Sequence, residues 1–432
     1  MRKMLDDLRW DPIVALRIRA LRIAALRIAS LVFKTAGLRT GGLRALASTR
    51  MALPVAALAI IAAIAGCQSM PGVVAPRGIE LVYAGQQILA HRFMFANTTV
   101  GGLSGIDYDP ATGRYWLISD DRSEYGPARF YEATLDLSRF VKSPDPGHAA
   151  IQFTGVSTMK RLDGSTFPDF RVNPAQAADP ESIRVHGPSG RLVWASEGER
   201  NIRPGEAPVL AQPHVWEMQR DGTLLRPFVI PDKFRSSAAN RGVRRNLAFE
   251  GLAFSPDFST LYVATENALL QDGPATSQTL SSPSRVLALD YASGQPRAEY
   301  VIEVSPIPAA PTTANGPSDN GISEILALDQ HRLLVLERSF VAGIGSFIRL
   351  FVVDLRGATD VSRIDALAGQ SYVPATKRLL LDFATIGIRL DNLEGMTWGP
   401  RLPNGSRSLI FVADDNFNPR QIQQFLLFEV RD

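Results

Sequence analysis

The chain has 432 residues, 45% of them hydrophobic, and a single cysteine, which is enough to bury a large core as one big domain or two ordinary ones. A sequence pI near 9.0 suggests an acidic partner. However, residues 1–66 hold 11 of the 46 basic residues and 3 of the 43 acidic ones, so residues 67–432 are acidic by about five charges. No basic stripe interleaved with aromatics runs through that body, which excludes nucleic acid as a partner.

Arg39, Arg44 and Arg50 precede an apolar run, Met51 to Ile64, that ends in Ala65-Gly66-Cys67. A positive flank, a short apolar stretch and small residues before the break read as a secretory signal. The run is too short and Ala-rich for a membrane span. Ile64-Ala65-Gly66-Cys67 resembles a bacterial lipobox, which implies lipidation of Cys67 as the new N-terminus. A plain signal peptide with an incidental cysteine, or a short anchor helix, is the alternative. Gln68 follows, where Asp would suggest inner-membrane retention. The expectation is therefore export and lipid anchoring to the outer membrane, facing the periplasm or the cell surface. Leu16-Arg-Ile, Leu21-Arg-Ile and Leu26-Arg-Ile recur every five residues, a period that keeps no constant helical face. Residues 1–50 read as an over-extended start with Met51 as initiator, or as a basic membrane-surface segment. Residues 1–66 thus form a leader, 67–78 a linker and 79–432 the folded domain.

Within that domain five segments share one pattern: a small or acidic residue, an apolar strand, a turn, a second apolar strand, then an acid. They run from Leu103 to Asp120, Glu181 to Glu197, Glu250 to Glu266, Ile322 to Glu337 and Glu394 to Asp414. Turn chemistry separates the strands at Asp109-Pro-Ala-Thr-Gly, Gly187-Pro-Ser-Gly and Ser255-Pro-Asp. A third alternating strand follows each pair, near Arg129, His214, Arg285, Ile348 and Gln424. A fourth follows four of them, near Ile151, Phe228, Tyr300 and Arg378. The last repeat lacks its fourth strand, and a surplus strand, Ile79–Tyr83, precedes the first. Four antiparallel strands per repeat, with the last sheet closed by both termini, predicts an all-β β-propeller. Ser104, Glu181, Glu250, Ser323 and Glu394 are equivalent, spaced by 77, 69, 73 and 71 residues. Direct counting gives five blades with long loops; six shorter units is the other division.

Because the first two strands of a repeat are antiparallel, the start of one and the end of the other share a face. Glu181, Glu250 and Glu394 therefore meet Asp120, Glu197, Glu266, Glu337 and Asp414 at one mouth of the channel, with Asp121 and Asp415 just beyond and Glu324 just inside. Such a ring needs neutralising. Ca²⁺, which takes six to eight oxygen ligands, is one candidate. Arg122, Arg200, Arg338 and Arg420 at matching offsets are another, and suit an oxyanion; Arg241, Arg244 and Arg245 precede Glu250. Strand-end acids that only pair blade to blade are the structural alternative. The roles read from this pattern are catalysis for Glu181, Glu250 and Glu394 and substrate binding for the four matching arginines. Asp120, Asp121, Glu197, Glu266, Glu337, Asp414 and Asp415 are read as metal ligands. Gly102-Leu-Ser104-Gly-Ile breaks the G-x-S-x-G elbow, His91, His148, His186, His214 and His331 lack metal spacing, and no P-loop or dinucleotide fingerprint occurs.

At Gly101-Gly-Leu-Ser-Gly-Ile-Asp-Tyr-Asp-Pro, Ser119-Asp-Asp-Arg122, Asp179-Pro-Glu-Ser-Ile and Ala195-Ser-Glu-Gly-Glu-Arg200 the sequence resembles the bacterial phytase-like propeller family. Phe249-Glu-Gly-Leu-Ala, Asn392-Leu-Glu-Gly-Met and Ala413-Asp-Asp-Asn-Phe-Asn carry the resemblance on to the C-terminus. It implies a propeller with metal-assisted esterase or phosphoesterase activity, and leaves the substrate open. The expected protein is a monomeric domain that hydrolyses a small anionic ester with Ca²⁺ and touches the membrane only through its anchor. A calcium-dependent lactonase-type propeller and a non-catalytic binding propeller are the alternatives.

Overall fold

The computed structural model describes residues 78–431; the leader and Cys67 lie outside the described residues. Five four-stranded antiparallel sheets make up the ring, beside two short hairpins, Phe93–Phe95 with Thr98–Val100 and Glu199–Asn201 with Val209–Ala211. Blade 1 runs Leu103–Asp109, Arg114–Ser119, Arg129–Leu135 and Ile151–Thr158 from axis to rim. Blade 2 runs Pro180–His186, Arg191–Ser196, His214–Met218 and Leu224–Pro227, and blade 3 Phe249–Phe254, Thr260–Thr265, Ser282–Asp290 and Pro296–Val304. Blade 4 runs Gly321–Ala327, Arg332–Val341, Gly345–Asp354 and Thr376–Asp382. In blade 5, Asn392–Gly399, Arg407–Asp414 and Gln423–Arg431 are completed on the outside by Glu80–Leu89 from the other end of the chain. The innermost strands of successive blades adjoin, and that of blade 5 adjoins that of blade 1, which closes the ring. The count is five, not six.

The closing strand pairs from Glu80 with Arg431 to Leu89 with Gln423, with a bulge between Tyr83 and Gly85. It is longer than the surplus strand expected from sequence. The outer strand of blade 2 is Leu224–Pro227, ahead of the expected Phe228, with a bulge that leaves Leu225 unpaired; the Phe228 amide still bonds the Val215 carbonyl. Among the described residues helix is confined to short 3-10 turns, and no helix is long and apolar enough to cross a membrane.

Every blade is apolar on both faces, since each is covered by a neighbour on each side. Along the second strand of blade 1, Tyr115 and Leu117 pack toward blade 5 while Trp116 and Ile118 pack toward blade 2. The period-2 alternation of a strand thus feeds two interfaces, and five apolar clusters fill the five gaps between blades.

Candidate metal centre at the channel mouth

The innermost hairpin of every blade carries a bulge at the same place. Pairing skips one residue between Leu103 and Gly105, Pro180 and Ser182, Phe249 and Gly251, Ile322 and Glu324, and Leu393 and Gly395. The extra residues are Ser104, Glu181, Glu250, Ser323 and Glu394. A bulge re-aims the side chain it frees, and here it sets one residue per blade at the start of the inner strand, at the channel mouth. In blades 1 and 4 that residue is a serine, which donates to the next blade's backbone: Ser104 Oγ to the Pro180 carbonyl (3.1 Å) and Ser323 Oγ to that of Leu393 (3.2 Å). In blades 2, 3 and 5 it is a glutamate.

The glycine after the bulge has a packing reason. A Cβ on Gly251 would stand 2.7 Å from the Ile325 amide nitrogen, and one on Gly395 3.0 Å from that of Ile106. Glu-Gly is therefore two devices in sequence: an acid turned to the mouth, and a bare backbone against which the next blade packs.

The second position of the ring lies on or just past the second strand, across from the residue two before the bulge, at Asp120, Glu197, Glu266, Arg338 and Asp414. The amides of Asp120, Glu197 and Glu266 bond the carbonyls of Gly102, Asp179 and Ala248, while Arg338 and Asp414 pair with Gly321 and Asn392. In blade 4 the sequence repeat is thus off by one. Arg338 holds the ring position, and Glu337 takes the strand site occupied by Thr265 in blade 3. A one-residue step turns a strand side chain to the opposite face. Glu337 accordingly pairs with Lys377 (2.5 Å) and accepts from the Ser305 amide and Asn320. Glu324, likewise one past its bulge, lies at the channel axis against Arg184 (2.6 Å).

Asp120, Asp179, Glu181, Glu197, Glu250, Glu394 and Asp414 line a cavity of about 1240 Å³ at this mouth, together with Arg122, Arg338 and Arg420. Glu266 is buried just behind, against Arg338 (3.5 Å). Besides Glu337, three expected members stand elsewhere. Asp121 is closed in an ion pair with Arg129 (2.5 Å) and accepts from the amides of Glu124 and Tyr125. Asp415 accepts from the amides of Gly102 and Phe417. Arg200 donates to the carbonyls of Ser237 and Ala239, away from the cavity lining. Asp179, Asn246 and Asp319 line the cavity unforeseen; Asp179 was recoverable, since it faces Glu197 across the hairpin.

Two groups of carboxylates share Glu197. Asp179, Glu181 and Glu197 bring one oxygen each within 4.8 Å of one another, and so do Glu197, Glu250 and Glu266. Oxygens bound to one Ca²⁺ at 2.3–2.6 Å lie at most about 5 Å apart, so either group fits. Burial, and then mutual repulsion, pushes Glu181, Glu197 and Glu250 well above the usual carboxylate range. The same causes act on Asp120 and Asp414. Burial takes Asp179 to about 7 and Glu266 to about 8, against the opposing pull of Arg122 and Arg338 respectively. Both arginines are already engaged: Arg122 with Asp179 and Glu199 (3.7 Å each), Arg338 with Glu394 (3.2 Å) and Glu266. One acceptor is left over. Glu266 Oε2 is fully buried with no hydrogen-bond partner, a cost folded proteins rarely bear without a ligand. The donor set and this orphan oxygen fit a hard divalent cation.

Fold and site together define a five-bladed β-propeller whose channel opens on a cup of buried carboxylates. The profile of the phytase-like family, described as "Esterase-like activity of phytase", matches residues 98–417, and the chain belongs to that family. No curated protein matches the sequence. Among solved structures, a gluconolactonase of Xanthomonas campestris is similar at 15% identity over 76% of this chain and 71% of its own, with a TM-score of 0.31. The periplasmic gluconolactonase of Pseudomonas aeruginosa is similar at 14% over 77% and 86%, also at 0.31. A xylan β-1,4-xylosidase of Bacillus halodurans reaches 0.39 at 10% identity over 72% and 49%. Likenesses so distant bear on no function.

Proposed function

We propose that the acidic mouth binds Ca²⁺ and hydrolyses a phosphate ester or a related ester. The observation that carries this reading is the register of the ring: bulge and strand-end positions of blades 2 and 3 converge Glu181, Glu197, Glu250 and Glu266 on one place, with Asp179 beside them and one oxygen left unpartnered. These five would hold the cation. When bound, it polarises the ester oxygen and lowers the pKa of a water.

The remaining residues divide the work. Glu394 is the general base. Asn392 Nδ2 donates to its Oε1 at 2.8 Å and Arg338 lies 3.2 Å away, so the carboxylate is held in one orientation to take a proton from water. Arg420, exposed on the cavity rim and without a carboxylate partner among the described residues, orients the substrate oxyanion.

Turnover of a generic phosphomonoester, a carboxylic ester and a lactone, each with Ca²⁺ and with chelator, tests the reading and separates its branches. Chelator-sensitive turnover of one class supports it. Ca²⁺ binding without turnover of any would make the protein a binding module, and absence of Ca²⁺ binding would remove the metal reading altogether.

The same proposal includes export and anchoring through Cys67, motivated by the lipobox-like Ile64-Ala65-Gly66-Cys67. Cys67→Ala should then leave the domain folded and release it from the membrane fraction; a variant that stays there until detergent is added removes the anchor.

A further inference from the structure

Blade 4 differs from the others at this mouth. Its second strand has 10 residues, against 6 in blades 1, 2 and 3. The additional residues, Arg338 to Val341, lie at the mouth. Side chains two apart share a strand face, so Phe340 stands on the same face as Arg338, and both line the cavity. Phe340 is 40% exposed there, and Ile344, in the hairpin turn, 51%. Ile348, Ile388 and Leu390 continue this lining from the returning strand and from the link to blade 5.

The extension is held firmly. The Phe340 amide donates to Asp319 Oδ1 (2.9 Å), the Asp319 amide to the Phe340 carbonyl (3.0 Å), and the Ala342 amide to the Pro317 carbonyl (2.9 Å). The cavity is therefore two-sided: carboxylates over the channel, and a fixed apolar wall over blade 4.

We infer that the substrate is an ester carrying an apolar, ring-sized group, which this wall receives while the ester linkage lies over the carboxylates. A uniformly charged polyanion would leave Phe340 and Ile344 unmatched and bring charge against the excess of acids; an aryl or cycloalkyl group would cover apolar surface that solvent now reaches, which favours binding in proportion to area. This inference rests on the hydrolase reading above.

The test compares benzyl and methyl phosphates, or benzyl and methyl carboxylates, whichever is turned over, because their leaving alcohols are of like reactivity. The readout is the ratio of kcat/KM for benzyl over methyl. Phe340→Ser and Ile344→Ser should each lower this ratio by about tenfold, the scale of a small apolar contact, and Phe340→Leu should restore part of it. Leu162→Ser, at an exposed apolar site outside the cavity lining, should leave it unchanged. Melting curves show that each variant is folded. A ratio unmoved by both wall variants, with turnover intact, overturns the inference and leaves the hydrolase reading standing. If no ester is turned over, calorimetry with benzylphosphonate and methylphosphonate in Ca²⁺ decides: equal or absent binding overturns it, and benzyl binding that Phe340→Ser weakens supports it.

Discussion

Arg184 and Glu324 meet on the propeller axis, Nη2 to Oε2 at 2.6 Å, with both side chains closed to solvent. The guanidinium also donates to the carbonyls of Ile106, Leu252 and Ile325, so one side chain ties blade 2 to blades 1, 3 and 4. Glu324 in turn accepts from Ser182 Oγ and the Leu252 amide. The pair plugs the channel, which makes the acidic mouth a cup and not a tunnel.

The two halves of this pair should fail unequally. Burial pushes Glu324 to about 7 although Arg184 opposes the shift, so a carboxyl left alone by Arg184→Met can take a proton and become neutral. The guanidinium that Glu324→Leu deprives of its close carboxylate cannot shed its charge, and Asp107, 3.9 Å away, is a more distant substitute. Breaking a buried pair costs about 3–5 kcal/mol; Glu324→Leu should fall in that range at neutral pH, whereas the loss from Arg184→Met, which includes the three carbonyl bonds, should be smaller at about pH 5 than at about pH 8, by urea denaturation. A loss from Arg184→Met that does not change with pH would argue against the asymmetry.

Gly251→Ala should destabilise the domain by about 1–3 kcal/mol, the usual cost of overpacking, because the added methyl meets the backbone of Glu324 and Ile325. It should also weaken Ca²⁺ binding, since relief can come only by moving the bulge that aims Glu250. Denaturation and calorimetry on the same sample check both parts, and a stable variant with weakened binding would show that the bulge yields before the blade contact does.

This bulge marks the limit of what the sequence shows. Strand alternation and turn residues reveal the five blades and the closing strand, because each strand is apolar on a period fixed by its own geometry. The equivalence of Ser104, Glu181, Glu250, Ser323 and Glu394 is visible too, since it recurs at near-constant spacing. The face on which a neighbouring acid falls is not. Glu337 and Glu324 each sit one residue from a ring position, and composition alone cannot distinguish a one-residue slip. Asp415 is engaged by the Gly102 amide from the far end of the domain, and Asp121 by Arg129, which meets it only because the next strand folds back.

Removing residues up to Leu89 should lower the melting temperature and make the protein associate at higher concentration. The closing strand pairs over its full length with Gln423–Arg431, and its loss exposes a long sheet edge. Light scattering beside the melting curve separates the two effects; an unchanged, monomeric melt would mean that blade 5 holds with three strands.

Chelator-treated protein should become less stable as pH rises from about 5 to 8. Folding raises Asp179 from 3.8 to about 7, Glu324 from 4.5 to about 7 and Glu266 from 4.5 to about 8. In that window the folded state therefore holds protons that the unfolded state has released, and stability falls with rising pH. The stabilisation these protons give is complete below the unfolded values and is lost through the folded ones. Melting temperatures across the range check the slope, and a flat or rising curve would contradict it.

Calcium should reverse that loss, and the ring register says which residues matter. At a hundredfold excess over its dissociation constant, a ligand bound only by the folded form adds about 2.7 kcal/mol of stability. Glu197→Gln should remove most of this increment, because Glu197 belongs to both carboxylate groups. Glu250→Gln and Glu266→Gln should each remove part. Glu337→Gln will destabilise the fold by freeing Lys377, yet its Ca²⁺-dependent increment should remain whole, since its carboxylate is turned away from the mouth. The increment, measured as the difference between melts with and without Ca²⁺, is thus the quantity to compare, and absolute stability is not. A Glu337 variant that loses the increment while the Glu197 variant keeps it would mean that the ring has been placed one residue out of register.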